Sequence, residues 1–141
     1  MAAQNPKITE SFYIYTVALA ATLNAGAQQS IQLSIEADSN FNWVKTAFFA
    51  SLAGAAQTAA SLVIPQVTVS ILDSGSGRNL QSNPVPVTSM AGNGQLPFVL
   101  PIEQVFKARS TITFTLLNTS AAENYSVLNL SLIGYKTFFA S

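Results

Sequence analysis

Six carboxylates, Glu10, Glu36, Asp38, Asp73, Glu103 and Glu123, are the side chains with most scope for chemistry in this 141-residue chain, because it holds neither histidine nor cysteine. Histidine is the commonest general base and metal ligand near neutral pH. Cysteine supplies thiolate nucleophiles, zinc ligands and disulfides. Without them a Ser-His-Asp triad, a thiolate metal site and a disulfide framework are all excluded. Among the carboxylates only Glu36 and Asp38 are close neighbours, and an i,i+2 spacing on a strand puts both on one face. With Ser39 and Asn40 they offer oxygens to calcium, but that ion takes six or more ligands. A solvated strand end is the preferred reading of the pair.

Two further patterns suggest ligands. Asp73-Ser74-Gly75-Ser76-Gly77-Arg78 looks like the start of a phosphate loop, yet Leu80 stands where a dinucleotide fingerprint needs its third glycine. Polar, proline-containing chain follows it, not a helix. Its glycines instead permit a tight turn that sends Arg78 inward or against a partner. Asn118, Asn124 and Asn129 each begin a glycosylation sequon, which a chain rich in Asn and Ser produces by chance. Trp43, Phe48, Phe49, Tyr135, Phe138 and Phe139 have the ring faces to stack on sugars or bases, a role rarer for such residues than core or interface anchoring.

The elements that would carry these residues are strands. Ile31, Leu33 and Ile35 alternate with polar residues, as do Val67, Val69 and Ile71, then Ile112, Phe114 and Leu116, then Leu128, Leu130 and Leu132. Alternation of this kind gives a strand one buried and one wet face. Residues 12–19 differ, because Tyr13, Tyr15, Val17 and Leu19 form one apolar face while Phe12 and Ile14 form a second. A strand greasy on both sides predicts that another subunit covers Phe12 and Ile14. Turns are expected at Asn24-Ala25-Gly26, Asp38-Ser39-Asn40 and 91–94, a longer loop at 73–79, and a hairpin connection from Asn118 to Asn124. Asn83-Pro84-Val85-Pro86 must be extended, since proline restricts both itself and its predecessor. Residues 44–62 fit a helical stripe or a strand, and the preferred reading is a strand to about Phe49 followed by a loop or short helix. About seven or eight short strands predict an all-β fold, a single-domain β-sandwich or jelly roll over 12–141 behind an extended N-terminal arm, residues 1–11.

Charge narrows the function. Charged residues are 9 % of the chain against roughly 25 % in an average soluble domain, and six bases balance six acids. Residues 11–35, 46–72 and 79–102 carry none. Interface cores are depleted in charge, and neutral chains tend to associate. Much of this surface is therefore expected to lie against other subunits. Scattered Lys and Arg argue against nucleic acid, which needs clustered cations at the phosphates. A secretory signal at 12–23 is not expected, as Glu10 occupies the region that should be basic. Nor is a membrane span at 46–64, where Ser51, Gln57, Thr58 and Ser61 interrupt an alanine-rich stretch.

The order of features between residues 41 and 136 is distinctive. Phe41-x-Trp43 is followed by the run from Val67 through Asp73-Ser74-Gly75-Ser76-Gly77-Arg78-Asn79-Leu80, then Pro84-Val85-Pro86. Gly92-Asn93-Gly94-Gln95-Leu96-Pro97-Phe98-Val99-Leu100-Pro101 comes next, then Phe106, Ala108-Arg109-Ser110-Thr111-Ile112 and finally Ile133-Gly134-Tyr135-Lys136. This resembles the small virion proteins of tailed bacteriophages, including those that decorate or cement the head; the first 40 residues carry none of the resemblance. It implies a non-enzymatic protein on the outer capsid that bridges neighbouring major capsid proteins and self-associates as a dimer or trimer, with no cofactor. The contact residues expected are Pro6 in the arm, Phe12 and Ile14, Trp43, Arg78, and the terminal Phe138 and Phe139. The alternative is a receptor- or carbohydrate-binding module of a fibre or tail, with loops 73–80 and 91–96 as its site.

Overall fold

A computed structural model of the chain describes residues 9–53, 65–93 and 96–139. These residues form nine strands and one 3₁₀ turn, Val87–Ser89: β1 (Glu10–Ala18), β2 (Gln28–Ser34), β3 (Ser39–Leu52), β4 (Val67–Asp73), β5 (Arg78–Asn79), β6 (Val85–Pro86), β7 (Phe98–Phe106), β8 (Thr111–Asn118) and β9 (Tyr125–Phe138). Period-two patterning sets their faces. On β8, Ile112, Phe114 and Leu116 are fully buried while Thr111, Thr113 and Thr115 stay half-exposed. Val67, Val69 and Ile71 of β4 and Leu128, Leu130 and Leu132 of β9 point into the same core. Phe41, Phe106 and Tyr125 complete its centre.

Strand pairing gives the architecture. β1 pairs with β9, β2 with β8, β3 with β7 and β4 with β5, all antiparallel. The chain is thus one long antiparallel ribbon with its tip at β4 and β5. Rolling up the ribbon brings β9 beside β3 and β8 beside β4. The result is a front sheet ordered β1-β9-β3-β7 and a back sheet ordered β2-β8-β4-β5, with β6 attached to β4. That is the connectivity of a jelly roll.

The structure amends several sequence expectations. The segment after Asn118 is not a hairpin: β8 belongs to the back sheet and β9 to the front, so residues 119–124 cross between layers. Asn118 pins this crossing, its buried amide donating to the Leu23 and Glu123 carbonyls and accepting from the Ser120 N–H and hydroxyl. Burial of Asn118 also removes the first sequon from consideration. The turn expected at Asp38-Ser39-Asn40 falls at 37–38, and Ser39 already opens β3. β3 continues to Leu52 because β9 pairs with it along that length, and cross-strand pairing outweighs alanine's weak helix preference. Residues 54–64 lie outside the described residues, and among the described ones no helix is long and apolar enough to cross a membrane. Residues 1–8, most of the expected arm, also lie outside them; Glu10 and Ser11 belong to β1.

One irregularity shapes the front sheet. The register of β3 shifts between Trp43 and Lys45 against both neighbours. At this bulge the Asn42 carbonyl presses on Gly134 of β9 so closely that no Cβ fits there. Glycine is required at 134 for close approach of backbone, not for φ.

Candidate interaction face

The outer face of the front sheet gathers the residues that sequence reading singled out on β1. Register aligns Phe12 with Tyr135, Asn42 and Val105 in one row across four strands, and Ile14 with Ile133, Lys45 and Val99 in the next. Phe12 is 71 % exposed and Ile14 41 %. Val99 and Val105 on β7 are exposed as well, and Phe49 extends the face along β3. Polar groups interrupt it: Asn42 stands in the first row, and Thr16 and Ser131 lie beyond the second. Lys45 stands in the second row, and Tyr135 donates its hydroxyl to Glu103 at 2.5 Å. That hydrogen bond, with some desolvation, raises the Tyr135 pKa. Sequence reading found Phe12 and Ile14 but missed Val99, Val105, Ile133 and Tyr135 as their companions. The signal was there only as odd-even parity; which parities meet depends on pairing.

The back sheet's outer face differs. Ser30, Thr115 and Ser70 form one row and Gln32, Thr113 and Leu72 the next. Hydroxyls meet across strands, as Ser30 and Thr115 do at 3.3 Å. None of these positions carries charge or a ring.

Other expected contact residues separate from the front face. Trp43 is a core residue, correcting its expected place at an interface. Its indole stacks on Phe106 at 5.8 Å and its N–H, aimed inward, donates to the Lys45 carbonyl and the Thr46 hydroxyl. Arg78 is exposed on β5, turned outward beside the loop. Phe138 is half-buried at the end of β9 and Phe139 is exposed. Pro6 lies outside the described residues.

Loop 73–79 is held by its own acid and by Ser74, which exchanges hydrogen bonds with Thr111. Asp73 is buried and accepts from the Gly75 N–H at 2.9 Å and the Ser76 hydroxyl at 3.2 Å, so its carboxylate stabilises the turn. Between β7 and the segment following β5 lies a cleft of about 220 Å³ floored by Trp43 and Ile71 and walled by Leu80, Met90 and Ile102. Gln81 is one of two amides lining it. Its oxygen accepts from the Ile71 N–H, and its nitrogen reaches Met90 sulfur at 3.6 Å. A sugar site needs convergent polar groups, and this one is mostly apolar.

The most unusual ionic group is Lys136, whose inward position on β9 leaves it 4 % exposed. Its Nζ lies 3.9 Å from the Tyr13 ring centroid and 3.1 Å from Glu36 Oε2. Burial pulls its proton affinity down. The Glu36 hydrogen bond and the attraction of Tyr15, Glu36 and Tyr13 outweigh that, and the pKa is raised. Glu36, one half of the candidate calcium pair, therefore serves as a counter-ion. Among the described residues no three acidic side chains gather into a metal-binding group.

No protein-family model matches the chain, and no curated protein matches it.

Proposed function

We propose that this chain is a capsid decoration protein of a tailed bacteriophage, a non-enzymatic β-sandwich that binds the outer capsid lattice and bridges neighbouring major capsid proteins. The observation that carries this reading is the exposed apolar face of the front sheet. Phe12, Ile14, Val99 and Val105 sit there with Ile133 and Tyr135, and Lys45 and Glu103 are the charges set among them. Such patches on soluble proteins mark protein contact sites. Aromatic residues and low charge are the composition of an interface core. The nature of the partner comes from the sequence resemblance over residues 41–136.

The chemistry required is modest. Apolar surface leaving water contributes about 25 cal/mol per Å² before the costs of association. A lattice multiplies weak sites, because a bridging protein held at one contact meets the second at high effective concentration. Made in the host cytoplasm, the protein would then reside on the outside of the virion. The major capsid protein is its partner; nucleic acid and membrane are not. The fibre or receptor-binding alternative draws no support from loop 73–79, whose acid stabilises its own turn.

The test is co-sedimentation of the purified protein with expanded heads that lack it. Saturable binding that raises the temperature of head disruption, and that fails for the Phe12→Ser, Ile14→Ser double variant, is the expected result. No binding to heads, together with retention on a glycan array, would overturn it in favour of the receptor-binding module.

A further inference from the structure

Independently of the capsid reading, we infer that strand β1 is a self-association edge at which two copies of the chain pair antiparallel about a two-fold axis through Ile14.

The backbone of β1 carries the inference. The Phe138 N–H donates to the Thr9 carbonyl at 2.8 Å, and Thr9 stands opposite Phe138 in the register of β1 with β9. In an antiparallel ladder, hydrogen-bonded and non-bonded pairs alternate. Ser11, Tyr13, Tyr15 and Val17 therefore direct their N–H and C=O groups to β9. Glu10, Phe12, Ile14, Thr16 and Ala18 direct theirs to the open side, where no strand follows β1 among the described residues.

Proteins usually blunt such edges with proline, charge, bulges or short strands. Two of the other three edges follow that rule, and the third, β2, presents only polar side chains beside its open groups. β7 has Pro101 and a broken register, and β5 and β6 are two residues each. Polar Gln28, Ser30, Gln32 and Ser34 flank the open groups of β2. Over its nine residues β1 has no bulge and no proline, and its one charge is confined to its first residue, Glu10. The residues whose backbone groups face no strand include the exposed Phe12 and Ile14, the Phe12 carbonyl accepting only a long hydrogen bond of 3.5 Å from the Ser11 hydroxyl.

A second copy fits this edge because β1 complements itself. A two-fold interface requires one patch to match its own image. Centred on Ile14, antiparallel pairing sets Phe12 against Thr16, an aromatic and β-branched pair of the kind that stabilises sheets. Glu10 falls opposite Ala18, so the two carboxylates lie at opposite ends. The formal net charge of zero adds no repulsion between copies. Two front sheets then become one, and the row Ile14, Ile133, Lys45, Val99 runs through the axis into its image.

Sedimentation and cross-linking test this. The wild-type chain is expected at about twice 14.9 kDa. Thr16→Pro deletes an outward N–H and leaves Phe12, Ile14 and every bond to β9 in place, so circular dichroism stays unchanged while self-association weakens about a hundredfold. In this cysteine-free chain, Ile14→Cys is expected to give a disulfide-linked dimer on mild oxidation, since facing residues of a bonded pair lie about 5.5 Å apart at Cα. Thr115→Cys on the back sheet is expected to form no intermolecular disulfide under the same conditions. If Thr16→Pro fails to fold, the Ile14→Cys cross-link decides. A monomeric wild type, or a dimer that Ile14→Cys cannot trap, overturns the edge. A monomer that still binds heads would refute the edge alone, and a β1 dimer that ignores heads would refute the capsid reading alone.

Discussion

The two outer faces of this sandwich differ in character: the front mixes exposed apolar side chains with Lys45 and Glu103, and the back rows are neutral and mostly polar. The front face sets Phe12, Ile14, Ile133, Tyr135 and Val99 in register, while the back sets Ser30, Thr115, Ser70, Gln32 and Thr113. Hydroxyls and amides keep the back face wet without ions. Aromatic and aliphatic side chains on the front have no such recourse. Low charge alone is thus an ambiguous sign of an interface, since the neutral back face is fully compatible with water. The informative observation is apolar side chains on the outward parity of adjacent strands.

The largest effect that would break this contrast is on the front sheet's framework. Gly134→Ala drives a methyl into the Asn42 carbonyl at the β3 bulge. Because backbone must move to make room, we expect a loss of about 3 kcal/mol, read from the midpoint of urea unfolding. An unchanged midpoint would mean that the bulge can relax.

Next comes binding. The Phe12→Ser, Ile14→Ser variant should lose about 2 kcal/mol of affinity for heads, near thirtyfold, if these are anchors. Thr113→Asp with Thr115→Asp on the back face should change it by less than about twofold by the same measure. Equal losses on both faces would erase the distinction.

A third contrast is in pH response. The groups whose proton affinity the fold visibly raises, Tyr15, Tyr125, Tyr135 and Lys136, all lie on β1 and β9 of the front sheet. Burial is the main cause for Tyr15 and Tyr125, the Glu103 hydrogen bond for Tyr135, and for Lys136 the partners that overcome desolvation. Above their ordinary values of 10.0 for tyrosine and 10.5 for lysine, the folded chain holds more protons than the unfolded one. Stability is therefore fully present below that range and falls as pH rises through the higher folded values. Melting temperature should drop more steeply above pH 10 in wild type than in Lys136→Met, measured by circular dichroism. Parallel curves would remove Lys136 from the account.

The smallest effect is expected at Thr115→Val, which should alter stability by no more than about 0.5 kcal/mol because the site is half-exposed and its hydroxyl contact to Ser30 is loose.

Much of this was legible in the residues themselves. Alternation in β2, β4, β8 and β9 declares strands and their inward sides, because side-chain direction follows from backbone geometry within a few residues. The double-faced pattern of Phe12 to Val17 announces an unusual strand for the same reason. Missing histidine and cysteine rule out whole classes of chemistry without any coordinates. Partnership was not legible. Only β4 pairs with strands close to it in sequence; β1 finds β9 and β2 finds β8 across most of the chain. Nothing local encodes such closures, because their free energy comes from packing residues far apart against the entropy of the loops between them. Hence the supposed hairpin at 118–124 became a crossing, and Trp43 moved into the core. Hence also Val99 and Val105 joined Phe12 and Ile14 on one surface only when β7, β3, β9 and β1 were laid side by side.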